Sequence, residues 1–189
     1  MNYQEWLAEV VRRIRISEGV RSTMYHDSKG IPTIGAGFNL ERGDARDALA
    51  KVGADYDAVM AGAALTDAQI DGLLAYALEP VIVEARNSLE PTHFDKWLSD
   101  ARRFVVVDLV YNLGNAGWLE FAQTRAFIDQ GCHDLARGHS ADAHASFGAA
   151  ADHLRASQWF QDVGPNRGGR NVAMMANSTW VDANGDGSA

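Results

Sequence analysis

Three side chains between residues 18 and 33, two carboxyl groups and a hydroxyl, are of the types that cleavage of a glycosidic bond uses. Glu18 is followed nine residues later by Asp27 and six residues after that by Thr33, within the segment EGVRSTMYHDSKGIPTIGAGFNL. Hydrolysis of a glycosidic linkage uses two carboxyl groups flanking it, one protonated to release the leaving oxygen and one ionised on the other side. A hydroxyl next to the ionised partner is suited to orient a water. Taken singly, a Glu at a helix end and an Asp before a turn are common as solvated or capping groups. It is the ordered set that points to chemistry.

The neighbouring residues supply the elements that must position this set. Apolar side chains at Trp6, Leu7, Val10, Val11 and Ile14 follow the three-and-four spacing of an amphipathic helix. Arg12, Arg13 and Arg15 fall off that stripe and are expected on a solvated face. Gly19 is a natural helix stop, which puts Glu18 at the helix tip. Met24–Asp27 and Ile31–Ile34 read as two short strands joined through Ser28-Lys29-Gly30, a β-hairpin. Pro32 lacks a ladder donor and so predicts an edge strand. Gly35-Ala36-Gly37 then lets the chain turn away with little side-chain bulk.

The pattern of Glu18, Tyr25, Asp27, Gly30, Thr33, Ile34, Gly35 and Gly37 resembles the catalytic hairpin of the phage-type lysozymes, glycoside hydrolase family 24. Gly164-Pro165-Asn166-Arg167-Gly168-Gly169-Arg170 and Thr179-Trp180 resemble that family's later Pro-Asn-Arg helix start and closing Thr-Trp. Tyr111-Asn112-Leu113-Gly114 and Phe121 to Thr124 resemble the middle of its large lobe, so the likeness runs from about Trp6 to Trp180. The chain departs from the pattern in having Phe38 and Asn39 where many members carry His after Gly-x-Gly. Residues 132–146 also form a longer stretch than compact members have.

The resemblance implies an α+β, mostly helical, lysozyme-like two-lobed fold, with a small β-hairpin lobe and a larger helical lobe joined by a long helix. The expected single domain covers residues 1–180. Residues 18–65 form the small lobe, 66–86 the linking helix and 87–180 the helical lobe, with 1–17 packing on the last; 181–189 form a flexible tail. It further implies a peptidoglycan hydrolase that cleaves the β-1,4 bond between N-acetylmuramic acid and N-acetylglucosamine with inversion. Inversion needs carboxyl groups about 6.5–9.5 Å apart. Glu18 would be the general acid, Asp27 the ionised partner and Thr33 the holder of the water. Arg167 would lie near Glu18 and position it, while Asn39 or Leu40, Tyr111, Asn112, Thr124 and His153 would bind the sugars. A lytic transglycosylase, which needs only one Glu, and a non-catalytic wall-binding or virion module stay open as alternatives.

Composition limits the partners. The net charge is −8, and the residues up to 65 are nearly balanced, with eight basic against nine acidic; the remainder has nine against sixteen. That balance argues against nucleic acid and leaves affinity for an anionic wall to short-range hydrogen bonds and stacking. The single cysteine, Cys132, excludes an internal disulfide framework and reads as a buried thiol. Residues 1–19 are interrupted by charges and form neither a secretory signal nor a membrane span. The expectation is therefore a monomer made in the host cytoplasm that acts at the bacterial wall in the periplasm, released by a holin or carried in a virion. No cofactor and no metal are expected: His133, His139, His144 and His153 fit no zinc spacing and read as solvated surface.

Further helices are expected at about Asp44–Val52, Asp55–Met60, Thr66–Arg86, His93–Leu113, Gly117–Gln130, Ala141–Ala156 and Gly168–Asn177. Thr66-x-x-Gln69 has the form of a capping box, Pro80 predicts a kink or break, and Gly114–Gly117 reads as a turn. The apolar run from Phe104 to Val110, interrupted by Asp108, predicts a buried central helix.

Overall fold

The computed structural model describes residues 1–181, so the expected tail lies, from 182 onward, outside the described residues. The chain is mostly helical with a three-stranded antiparallel sheet, the α+β class expected. In order, the elements are α1 (Tyr3–Glu18), β1 (Arg21–His26), β2 (Pro32–Gly35), β3 (Phe38–Asn39), α2 (Ala45–Lys51), α3 (Tyr56–Met60) and α4 (Asp67–Asn87). A π-helical turn at His93–Trp97 follows, then α5 (Asp100–Leu119), α6 (Ala122–Ala136), α7 (Ser140–Arg155) and α8 (Gln158–Asn177). Two compact units result, Met1–Glu79 and the chain from Pro80 onward, and the division falls inside α4. Among the described residues no helix is long and apolar enough to cross a membrane.

In the first unit α1 begins on a capping box, Asn2 with Glu5, and buries Trp6, Val10, Val11 and Ile14. Arg13 is buried as well, contrary to the solvated face expected of it, because its guanidinium folds back one turn onto Glu9 at 2.5 Å. The helix stops at Gly19, whose φ of 71° and ψ of 168° suit a residue without Cβ. The sheet order is β1-β2-β3, so β2 is the central strand and Pro32 is not on an edge. Pro32 is tolerated as the strand's first residue, where its carbonyl accepts the Leu40 N–H at 2.8 Å.

Strand alternation sorts the sheet into two faces. The pairs Tyr25↔Thr33 and Thr33↔Asn39 lie on one, while Ile34↔Phe38 lies on the other. Ile34 and Phe38 belong to a core completed by Leu40, Ala45, Ala48, Leu49, Val59, Leu65, Ile70 and Leu73. Polar ties reinforce this packing: the Leu65 N–H, just before α4, donates to the Ser22 carbonyl of β1, and the Tyr76 hydroxyl of α4 reaches Asp44 at 3.1 Å. The Thr66–Gln69 capping box starts α4 as expected. Arg15 of α1 holds Asp67 and Asp71 in its first turns. The helix runs on through Pro80, which therefore does not break it.

Arg42 grips Asp44 with two bonds, at 2.9 and 2.8 Å, and holds its carboxyl down to about 2. A folded-state pKa below the unfolded one stabilises the fold above the unfolded value, and that contribution fades as pH falls through the folded value. Asp44→Asn should therefore lower the melting temperature most at pH 5. The difference from wild type should shrink steadily between pH 4 and pH 2, and melting curves across that range check it.

In the second unit α5 is buried over Phe104–Val110, the central helix anticipated from the apolar run. Its start is later than expected because Leu98 is extended between the π-helical turn and the Ser99 cap. The predicted Gly114–Gly117 turn contracts to one non-helical residue, Gly114, and the actual stop follows Leu119. α8 likewise breaks only at Gly164, with φ 75° and ψ 172°. Pro165 then opens the second helical stretch, where its missing N–H costs nothing, so that stretch begins three residues before the expected Gly168. Gly131 of α6 lies against Phe147 of α7; a Cβ there would meet the ring at 2.8 Å. Arg102 lies over the same ring, 3.6 Å from its centroid, and donates to the Met175 and Ala176 carbonyls of α8. Burial lowers the Arg102 pKa to about 10 and raises that of the Cys132 thiol to about 12.

Candidate active site

Each unit contributes its own group of the side chains singled out by sequence. In the first, Glu18 is the last residue of α1 and is exposed. Asp27 follows β1 directly and opens the turn into β2. Its backbone N–H donates to the Ile31 carbonyl at 3.0 Å, and its Oδ1 accepts the N–H groups of Lys29 and Ile31 at 2.8 and 2.9 Å. The hydrogen bond from Ile31 is the main reason its pKa is lowered, with Lys29 and Gly30 acting the same way. A carboxylate held by backbone donors in this manner stays ionised. The Lys29 and Ile31 bonds both end on Oδ1, so that oxygen anchors the turn and Oδ2 is the one offered for chemistry.

Thr33 stands opposite Tyr25 and beside Asn39, on the same sheet face that alternation assigns to Asp27. It is buried, and its hydroxyl donates to the Ile31 carbonyl at 2.9 Å. With its proton committed, the oxygen can only accept, so a water bound there donates to it. Such a water keeps a lone pair for attack. Asn39 Oδ1 accepts the Glu41 N–H at 2.7 Å, leaving its amide N–H₂ as the group to offer a ligand. Leu40 departs from the groove-lining role expected of it: its side chain is 1% exposed and belongs to the core. The alternation that turns Asn39 toward the Thr33 face turns Leu40 away.

In the second unit Arg167 engages Asp108 of α5 through two bonds, Nε to Oδ2 at 3.0 Å and Nη2 to Oδ1 at 2.7 Å. Asn171, one turn further along α8, adds a third at 2.6 Å. Sequence reasoning finds Arg167 and misses both partners; the available signal is one acidic residue inside a strongly apolar helix. Thr124 is fully buried and its hydroxyl meets His153 Nδ1 at 2.8 Å. Thr124 thus orients an exposed imidazole and does not itself face a ligand. His153 also lies edge-on to Phe127. Asn112 is exposed and its Oδ1 accepts the Trp159 indole N–H at 2.9 Å, beside half-buried Tyr111.

Chemically, the first unit supplies an exposed carboxyl, an ionised carboxylate and an acceptor hydroxyl. The second supplies a guanidinium held at two points by Asp108 and, separately, the polar groups of Asn112 and His153 beside aromatic rings. Residues 15–147 match the family model described as Phage lysozyme. No curated protein matches the chain. The matched span holds Glu18, Asp27, Thr33, Asn39, Tyr111, Asn112 and Thr124, whereas His153 and Arg167 lie beyond it.

Proposed function

The chain belongs to the phage lysozyme family, a membership that supports a peptidoglycan-lytic muramidase, and from that premise we propose that it hydrolyses the β-1,4 bond from N-acetylmuramic acid to N-acetylglucosamine with inversion. The observation that carries the reading is the hairpin itself. Asp27 is held ionised by backbone donors, those of Lys29 and Ile31 both on Oδ1, and Thr33 on the same face can only accept a hydrogen bond.

In this reading Glu18 donates its proton to the bridging oxygen as the bond to the anomeric carbon breaks, and the bonding pair leaves with that oxygen. Positive charge develops on the sugar ring and is stabilised by ionised Asp27. A water held by Thr33 attacks the anomeric carbon from the opposite face and passes a proton to Asp27 Oδ2, giving a new reducing end of inverted configuration. Exchange with solvent returns each carboxyl to its starting state. Arg167, fixed by Asp108, is assigned to positioning the acid, and Asn39, Tyr111, Asn112 and His153 to sugar binding. The protein is taken to be a monomer that reaches the wall through a holin or within a virion.

Digestion of purified peptidoglycan with wild type and Thr33→Ala tests this. Product masses should show hydrated, reducing N-acetylmuramic ends. The variant should turn over about 10²-fold more slowly with KM within a few-fold. Anhydro ends would replace hydrolysis by transglycosylation, and a raised KM with unchanged kcat would remove Thr33 from the water.

A further inference from the structure

We propose that Glu90, His93 and His133, in the second unit, form a binding site for a single zinc ion. The three offer one carboxylate oxygen and two imidazole nitrogens that all lie within 4.8 Å of one another. His133 Nε2 is 3.0 Å from Glu90 Oε2, and the two imidazole rings meet edge to face with centroids 4.7 Å apart. The site is independent of the muramidase reading, since none of its residues has a role in that chemistry.

The arrangement is more specific than three neighbouring polar groups. His93 is buried, and its Nδ1 lies 2.7 Å from Asp129 Oδ1, which also accepts the Glu90 backbone N–H at 3.1 Å. An ionised carboxylate can only accept, so Asp129 fixes the proton on Nδ1 and leaves the lone pair on Nε2. A carboxylate behind a ligating imidazole is the usual outer support of a zinc site. Asp129 and His133 stand four residues apart, on one face of α6, so a single helix supplies both the support for one ligand and the other imidazole. Glu90 precedes His93 by three residues, in the connection between α4 and the π-helical turn.

The donor set selects the ion. Two imidazoles and one carboxylate suit zinc at about 2.0–2.2 Å per bond, with water in the fourth position. Calcium and magnesium prefer all-oxygen sites. The side chains of His133 and Glu90 are 38% and 54% exposed, which leaves them room to adjust around an ion. Cys132 lies next in sequence to His133, but its thiol is buried with a strongly raised pKa, and it is not in the set. The competing view is an ordinary Glu–His pair beside a buried His–Asp pair, which would give zinc no affinity.

The test uses the full chain stripped of metal by chelation, followed by titration calorimetry with zinc chloride and by thermal melting. One zinc per chain should bind, and a hundredfold excess over its dissociation constant should raise the melting temperature by about 5–10 °C. His133→Ala should abolish both effects. Asp129→Asn should weaken binding about 10–100-fold, and a variant lacking His139 and His144 should bind as wild type does. Absence of binding heat overturns the proposal, as does binding that survives in His133→Ala. Should that variant fail to fold, Glu90→Gln replaces it: Glu90 is exposed, and zinc binding undiminished there overturns the proposal equally.

Discussion

Glu18→Gln is expected to lower the rate of peptidoglycan hydrolysis by about 10²–10⁴-fold, the range that a positioned general acid contributes, with the fold retained. Glutamine matches glutamate in size and can hydrogen-bond, but it has no proton to give the bridging oxygen. Retention of the fold follows from where the residue sits. Glu18 is exposed at the last position of α1, the negative end of the helix dipole, where a carboxylate contributes least to helix stability. The helix is held instead by the Asn2–Glu5 capping box, by its buried stripe and by the pairing of Arg15 with Asp67 and Asp71. Turbidity clearance and release of reducing ends measure the activity, and a far-ultraviolet melt measures the fold. A variant that clears cell walls at near wild-type rate would take the acid's role away from Glu18.

The parts of this design that can be read from sequence are those encoded locally. The stripe from Trp6 to Ile14 ends at a glycine, and the Asp27–Ile31 turn is written in Asp-Ser-Lys-Gly, so the helix tip and the hairpin are legible. The third strand is not, because Phe38–Asn39 is too short to show a period of two. Without it Pro32 falls on an edge, and Asn39 and Leu40 stay undistinguished; the register Thr33↔Asn39 separates them at once. Arg13 escapes a sequence reading for a similar reason: periodicity ranks side chains by polarity, whereas a long arginine can be buried when a glutamate one turn away takes its charge.

Long-range polar pairs leave still less trace. His93 and His133 are forty positions apart and match no ligand spacing, although Asp129 and His133 share a helix face. Asp108 and Arg167 are 59 positions apart. A charge inside a valine-rich helix is the visible anomaly, and an anomaly of that kind says that a partner exists without saying which. For Arg167 the sequence resemblance implies a role in positioning the acid, a role that stands as a proposal. The structure adds that its guanidinium is held at two points by a carboxylate that has almost no solvent access.

That carboxylate carries the second large effect. Asp108→Ala should destabilise the protein by about 3–5 kcal/mol, the cost of breaking a buried ion pair by removing one member. Asp108 is 1% exposed and Arg167 11%, so water cannot replace the lost acceptor without opening the unit. Three donors lose their partner together: Nε and Nη2 of Arg167 and the Asn171 amide. Asp108→Asn should cost less, since it keeps the volume and one oxygen acceptor but turns an N–H₂ toward a guanidinium that has nothing to accept it. Arg167→Lys should also cost less than Asp108→Ala, because it keeps the charge yet gives up the two-point grip. Urea denaturation monitored by tryptophan fluorescence orders the three. If the pair only supported the fold, kcat of the folded fraction would be unchanged in Arg167→Lys. If it also sets the pose of the acid, kcat should fall in that variant while KM stays within a few-fold. An Asp108→Ala loss below about 1 kcal/mol would mean that the cluster is solvated in solution, and Arg167 would then have no fixed pose from which to position an acid.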